Sequence, residues 1–406
     1  MLPARTDASA FPFARTCPFD PPPQYVAVRA QGPVCAITLW NGKRAWLVTR
    51  HAEIRAVLLD DKRFSGQMAH PDFPAVTEAR VAADRNERAF VGMDNPAHDQ
   101  FRRFFQREFS ARHMLALKPA IAAIAERLID EFQALPQPAD LVPVLAVKFP
   151  SLVMSALFGS PYEDHEFIIR CAAARHGLTQ SPHEAESKAR ELVAYMRRLI
   201  DAKEAALNTT PADDMVSRVI TDAILPGKLS RDDFAEIGAM ILRAGHDTTT
   251  NMIGMGTLLL LQNEAMRRRL AAEPALIEGA VEELLRFVTP VQFSPRRVAL
   301  EDVEIGGVIV RKGEGLFMLL ASANRDEKFF EASDTLDVTR DASQHLAFGF
   351  GIHQCLGQML ARFELQIMFE ALLRRLPGLR LAAPLEEVRF KHDMQIYGVH
   401  NLPVAW

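Results

Sequence analysis

The sequence predicts a mainly α-helical fold with small β-sheets. Three observations carry that prediction. From residue 96 to 286 apolar residues recur at helical spacing in long stretches. Strand-like runs are confined to 25–60, 291–320 and the last residues, 379–406. Among these, Asn41-Gly42 between Val34–Leu39 and Ala45–Thr49 is a strong hairpin signal. The composition, 49% hydrophobic and 24% charged over 406 residues, supports a sizeable core.

Taken in order, residues 1–24 are proline-rich and read as an irregular arm. A short helix is expected at 25–30, then the hairpin, then a helix at 51–59. Residues 65–92 show weak periodicity and several breakers, which suggests a long loop of the kind that serves as a lid. Helices are expected at 96–108, 111–134, 141–158, 162–176, 183–206, 213–223, 231–263 and 276–286. Strands return over 291–320, an irregular polar stretch covers 321–345, and a last long helix follows residue 355. No Pro/Ser/Gly linker separates halves, so 1–406 reads as a single domain. The formal charge of −4 argues against a nucleic-acid binder. No apolar run is long enough for a signal peptide or a membrane span. Four scattered cysteines, Cys17, Cys35, Cys171 and Cys355, form no C-x-x-C pair and no disulfide framework. A reducing cytoplasm and a monomer are the expected setting.

Two stretches carry chemistry. The first is Phe348-Gly349-Phe350-Gly351-Ile352-His353-Gln354-Cys355-Leu356-Gly357. Glycines allow a turn that can aim backbone N–H groups at the Cys355 sulfur, and a helix begins directly after it. Both effects favour thiolate over thiol. A thiolate at the mouth of a helix is a metal ligand or a nucleophile. The second stretch lies in the middle of the 231–263 helix, which Ser230 caps with Asp233 three residues later. That helix is apolar on nearly all sides, yet its centre reads Ala244-Gly245-His246-Asp247-Thr248-Thr249-Thr250. Glycine, aspartate and threonine are weak helix formers, so an acid and hydroxyls there suggest a groove beside a ligand.

Phe348, Gly351, Cys355 and Gly357 form F-x-x-G-x-x-x-C-x-G, which resembles the haem-binding loop of the cytochrome P450 family. Ala244 to Thr249 match A/G-G-x-D/E-T-T/S, the oxygen-binding motif of the same family. Glu283 and Arg286, at i,i+3, resemble its structural E-x-x-R pair. Thr335 stands where a third, basic partner is common, and Arg340 is a substitute for it. The resemblance covers nearly the whole chain and looks like the soluble bacterial class.

The resemblance implies an α-rich triangular prism around haem b, with Cys355 as the iron ligand. It implies cofactor contacts from His98, Arg102, Ala244, Gly245, Arg297, Phe348, Gly349, His353 and Gly357. His98, Arg102, Arg297 and His353 would bind the propionates. Asp247 and Thr248 would handle protons for O2 cleavage, and the product would be a hydroxylated or epoxidised small, largely apolar substrate. Pocket walls are expected from Phe90, Met240, Arg243, Val291, Phe293, Gln395 and Ile396, and from the region around 165–185. The chain has no flavin or NAD fingerprint, so electrons must come from a ferredoxin and an NAD(P)H-dependent reductase. Some of Arg102, Arg103, Arg107 and Arg112 are expected to steer that partner. Alternatives are a nitric-oxide reductase or a peroxygenase on the same fold, or a haem-thiolate gas sensor. Rapid NADH oxidation by nitric oxide without a partner protein would mark the reductase. Asp247 disfavours it, because that branch typically lacks the acid.

Overall fold

The computed structural model describes residues 11–85, 88–173, 182–209, 213–392 and 394–406. Contacts group the chain into two units, each assembled from separated stretches. One comprises Met1–Glu87, Val91–His98 and Gly279–Cys355, the other Arg88–Phe90, Asp99–Glu278 and Leu356–Trp406.

The first unit is organised by a five-stranded sheet. Its order is Val34–Thr38, Arg44–Val48, Gly315–Met318, Arg296–Ala299, Phe64–Ser65. The expected hairpin pairs Val34 with Val48 and Thr38 with Arg44, and Gly42 takes the turn at φ +78°. Side chains alternate between the two faces, and the central strands bury both rows. Trp46, Val48, Leu316 and Met318 pack with Ile54, Val57 and Leu58 of the helix His51–Leu59. The N-terminal arm is irregular from residue 11, as expected, but it is tied down: Arg15 donates to Gln292 Oε1 at 3.3 Å, and Phe11 meets the Phe317 ring at 5.0 Å.

The 65–92 stretch is not one loop. It contains the helix Glu78–Arg85, whose alanine-rich sequence suits a helix once the flanking prolines have ended. Arg296, buried in the sheet, grips Asp84 of that helix with two hydrogen bonds of 2.6 and 3.0 Å. Within the irregular polar stretch, Leu320–Ala323 forms a short helix.

The second unit is helical around Arg231–Gln262, 32 residues long. It packs against Lys148–Phe158, Pro182–Ala206 and Gln358–Arg375. Ser230 caps it as expected, accepting from the Asp233 N–H at 3.0 Å. The 141–158 helix opens with a π-turn at Val142–Val147. The 213–223 helix divides into Met215–Val219 and a π-segment, Ile220–Ile224. Glu264–Ala272 is a further helix, started by Asn263, whose side chain accepts from Met266 N–H at 3.0 Å. The expected 162–176 helix is a 3-10 turn followed by His165–Ala173; its last residues and part of the 165–185 pocket region lie outside the described residues. A small sheet of Ala139–Asp140, Pro403–Ala405 and Arg380–Leu381 ends the chain.

Candidate active site

In the first unit the cysteine loop is a closed turn. Gly349 and Gly351 take φ +68° and +72°, a region that side chains avoid. A Cβ on Gly351 would also lie 2.0 Å from the Leu58 carbonyl oxygen. The Cys355 N–H donates to the Phe348 carbonyl at 2.9 Å, and Gln354 N–H to that of Gly351 at 3.0 Å. Cys355 itself is exposed, three residues ahead of the helix Gln358–Arg375.

Three of the four expected propionate ligands belong to this unit and converge. The His98 and His353 rings are 4.4 Å apart. An added Cβ on Gly66 would meet His353 Nε2 at 3.0 Å and an Arg297 guanidinium nitrogen at 3.4 Å. Gly66 is thus the floor on which both side chains meet, a position that sequence reasoning missed. Asp94 holds this floor: it accepts from the Gly66 N–H at 2.7 Å and from the Ser65 hydroxyl. Arg297 is 5% exposed. It donates to the carbonyl of Arg296 at 2.8 Å, and no carboxylate of the described residues pairs with it directly. Burial lowers its pKa to about 10, opposed by the charge of Asp94. A buried cation so placed is suited to an anionic ligand. Arg102 follows His98 by one helical turn on Ala97–Glu108 and is partly buried.

The fit to a haem rests on this donor set. Among the described residues no three His, Cys, Asp or Glu side chains group as a site for a bare metal ion. An exposed thiol with two imidazoles and a buried guanidinium suits an iron that brings its own macrocycle and carboxylates.

The Glu283–Arg286 pair is fully buried and bidentate, at 2.6 and 2.7 Å. Arg286 also donates to the carbonyls of Asn324 and Ser333, each at 2.7 Å, and of Thr335 at 3.1 Å. Thr335 therefore contributes its backbone. Arg340 reaches Glu283 at 3.3 Å and supplies the basic partner from five residues further on.

In the second unit the centre of the long helix divides by exposure. Ala244 is exposed and Thr248 partly so, one turn apart, whereas His246, Asp247, Thr249 and Thr250 are buried. The helix is α-helical throughout, so the weak helix formers at its centre do not change its type. The Thr248 hydroxyl bonds back to the Ala244 carbonyl at 3.2 Å, a contact that bends helices slightly. Gly245 accommodates Met154, whose sulfur would lie 2.6 Å from an added Cβ. The His246 ring bridges Asp247 Oδ1 at 3.0 Å and the Val147 carbonyl at 3.1 Å. Glu364, also buried, faces Thr249, and burial pushes its carboxyl up to about 8.

Of the expected pocket residues, Phe90 is buried and stacks near Phe105 at 6.2 Å. Met240 and Ile396 are buried, while Arg243, Val291 and Gln395 are partly exposed. Phe293 is buried, with the Phe11 ring at 6.3 Å.

The profile of one protein family, cytochrome P450, matches residues 26–378. Cytochrome P450-SU2 of Streptomyces griseolus is 44% identical over 405 residues, covering 99% of this chain and 98% of that protein. Pentalenic acid synthase of Streptomyces avermitilis is 41% identical over 399 residues, 98% of this chain and 97% of that protein. Among solved structures, GfsF superposes with a TM-score of 0.90 at 40% identity, over 98% of this chain and 100% of that one.

Proposed function

Because the chain belongs to the cytochrome P450 family of haem-dependent monooxygenases, we propose that it hydroxylates or epoxidises a small, largely apolar organic molecule. Two electrons come from a separate ferredoxin and its NAD(P)H-dependent reductase. When bound, haem b supplies the iron at which O2 is reduced and cleaved, and thiolate ligation favours that cleavage. The remaining roles fall to the chain. Cys355 is the thiolate, set in a loop that two left-handed glycines close. His98, Arg102, Arg297 and His353 neutralise the cofactor's carboxylates. Thr248 holds a proton-bearing hydroxyl on an open helical stripe, and Asp247 brings protons to it. The observation that carries the reading is this pair: a buried acid beside a part-exposed alcohol, at the centre of a helix that is mostly buried.

Among the described residues no helix is long and apolar enough to cross a membrane. The family match spans stretches of both units, which supports treating 1–406 as one functional domain.

Thr248→Ala tests the proton reading. The variant should keep its carbon-monoxide spectrum and release more hydrogen peroxide per NADPH oxidised, by about 10- to 100-fold, the low end of what positioned proton transfer contributes. Unchanged peroxide release would place proton delivery elsewhere.

The partner reading rests on exposed cations of the second unit. Arg103 and Arg112 are exposed, while Arg107 pairs with Asp222 at 2.6 Å. Arg103 and Arg112 are therefore the freer charges for steering an acidic protein. Reversing both to Glu should slow reduction by ferredoxin about tenfold at low salt and flatten its salt dependence. Equal rates at all ionic strengths would overturn the docking face.

A further inference from the structure

Lys391 lies in the last turn-rich segment of the chain, more than a hundred residues from the acid–alcohol pair, and nothing in the motifs points to it. Its Nζ donates to Asn251 Oδ1 at 2.9 Å, and Asn251 Nδ2 donates to the backbone carbonyl of Asp247 at 2.8 Å. Asn251 is 2% exposed. This amide thus ties a cation to the turn that carries the acid. The hairpin that brings Lys391 there is held by the bridge between Phe390 and Val399 and by Lys391 N–H donating to the Gly398 carbonyl at 2.9 Å. Its approach is close. A Cβ on Gly398 would sit 2.0 Å from Asn251 Oδ1, and one on Gly254 would sit 2.8 Å from Val399. Burial lowers the ammonium's pKa, and the negative charge of Asp247 opposes that shift. A cation is desolvated at some cost here, and what it gains is one amide and the field of one acid.

We propose that Lys391 is a positioning residue for proton delivery: through Asn251 it ties a part-buried positive charge to the turn that carries Asp247. The inference rests on the reading of Asp247 as the acid that brings protons.

Lys391→Met keeps the stem and removes the charge and the donor. Lys391→Arg keeps both. The holoenzymes can be compared without substrate, using a surrogate plant-type ferredoxin and reductase, by the ratio of O2 released as peroxide to O2 reduced to water. The second readout is the carbon-13 signal of the Asp247 carboxyl in the diamagnetic, carbon-monoxide-bound ferrous protein, assigned by its loss in Asp247→Asn. We expect Lys391→Met to raise the peroxide-to-water ratio about tenfold, the worth of one charge-assisted hydrogen bond. It should also move the Asp247 signal, and Lys391→Arg should restore both. A native ratio in Lys391→Met overturns the proposal, whether or not the carboxyl signal moves. Equal impairment of both variants with a lowered unfolding temperature also overturns it, by showing a packing role alone. A native ratio in Asp247→Asn sinks the reading of Asp247 itself, and the inference with it. That failure is recognisable because Lys391→Met would still shift the Asp247 signal.

Discussion

Reduced Cys355→Ala protein treated with carbon monoxide should lack the strongly red-shifted Soret band that the native protein shows. The loss should be complete, because no other cysteine can take over. Cys171 is buried, and burial pushes its thiol up. Cys35 is partly buried, with its thiol likewise pushed up by burial, and it donates to the Val28 carbonyl at 3.2 Å. Cys17 lies in the N-terminal arm and is partly buried. Only the thiolate is a good iron ligand, and among these four only Cys355 is exposed in a glycine-closed loop. Cys35→Ala and Cys171→Ala should keep the band. A red-shifted band that persists in Cys355→Ala would refute the assignment of the ligand.

Glu283→Gln should cost about 3–5 kcal/mol of stability, the range found when one partner of a buried ion pair is removed. The cost follows from the geometry. Arg286 has no exposure, and Glu283 is the one carboxylate that pairs with it among the described residues. Glu283 also accepts from the Asp337 N–H at 2.9 Å and from Arg340. Its neutral amide would turn one accepting oxygen into a donor beside these donors. Asn324 extends the same cluster: its side chain donates to Thr289 Oγ1 at 2.8 Å and accepts from Leu346 N–H at 2.7 Å, on the approach to the cysteine loop. The variant should therefore unfold at a much lower temperature and bind less haem. Arg340→Met, which leaves the bidentate pair intact, should lose far less. Native-like unfolding of Glu283→Gln, measured with calorimetry or denaturant, would show that the cluster does not hold the unit.

What the sequence made readable was what local rules write into it. The hairpin at Asn41-Gly42, the Ser230 cap and the long helices follow from turn chemistry, capping and periodicity. Cys355, Asp247 and Thr248 stand out because each is an unusual residue for its local setting. The rest depends on contacts between distant stretches. Gly66 has no motif, and it matters only because Arg297 and His353 meet over it. Asn251 lies four residues after Asp247, at helical spacing, and that was a usable signal. Its partner Lys391 was not legible at all, since a lysine in a loop looks solvated until the hairpin is in place. The helix Glu78–Arg85 was hidden by prolines on its approach, and its anchor Arg296 is more than two hundred residues away. Phe293 was read as a wall by its position in the chain, and nothing local announced its ring contact with Phe11 of the arm.

The hairpin around residues 390–399 separates two kinds of freedom. Its base is locked: Gly398 and Gly254 admit no side chain, and Lys391 is spoken for by Asn251. Its outer residues, Met394 and Gln395, are partly exposed. A side chain added at the base would press on Asn251 and, through it, on the turn that carries Asp247.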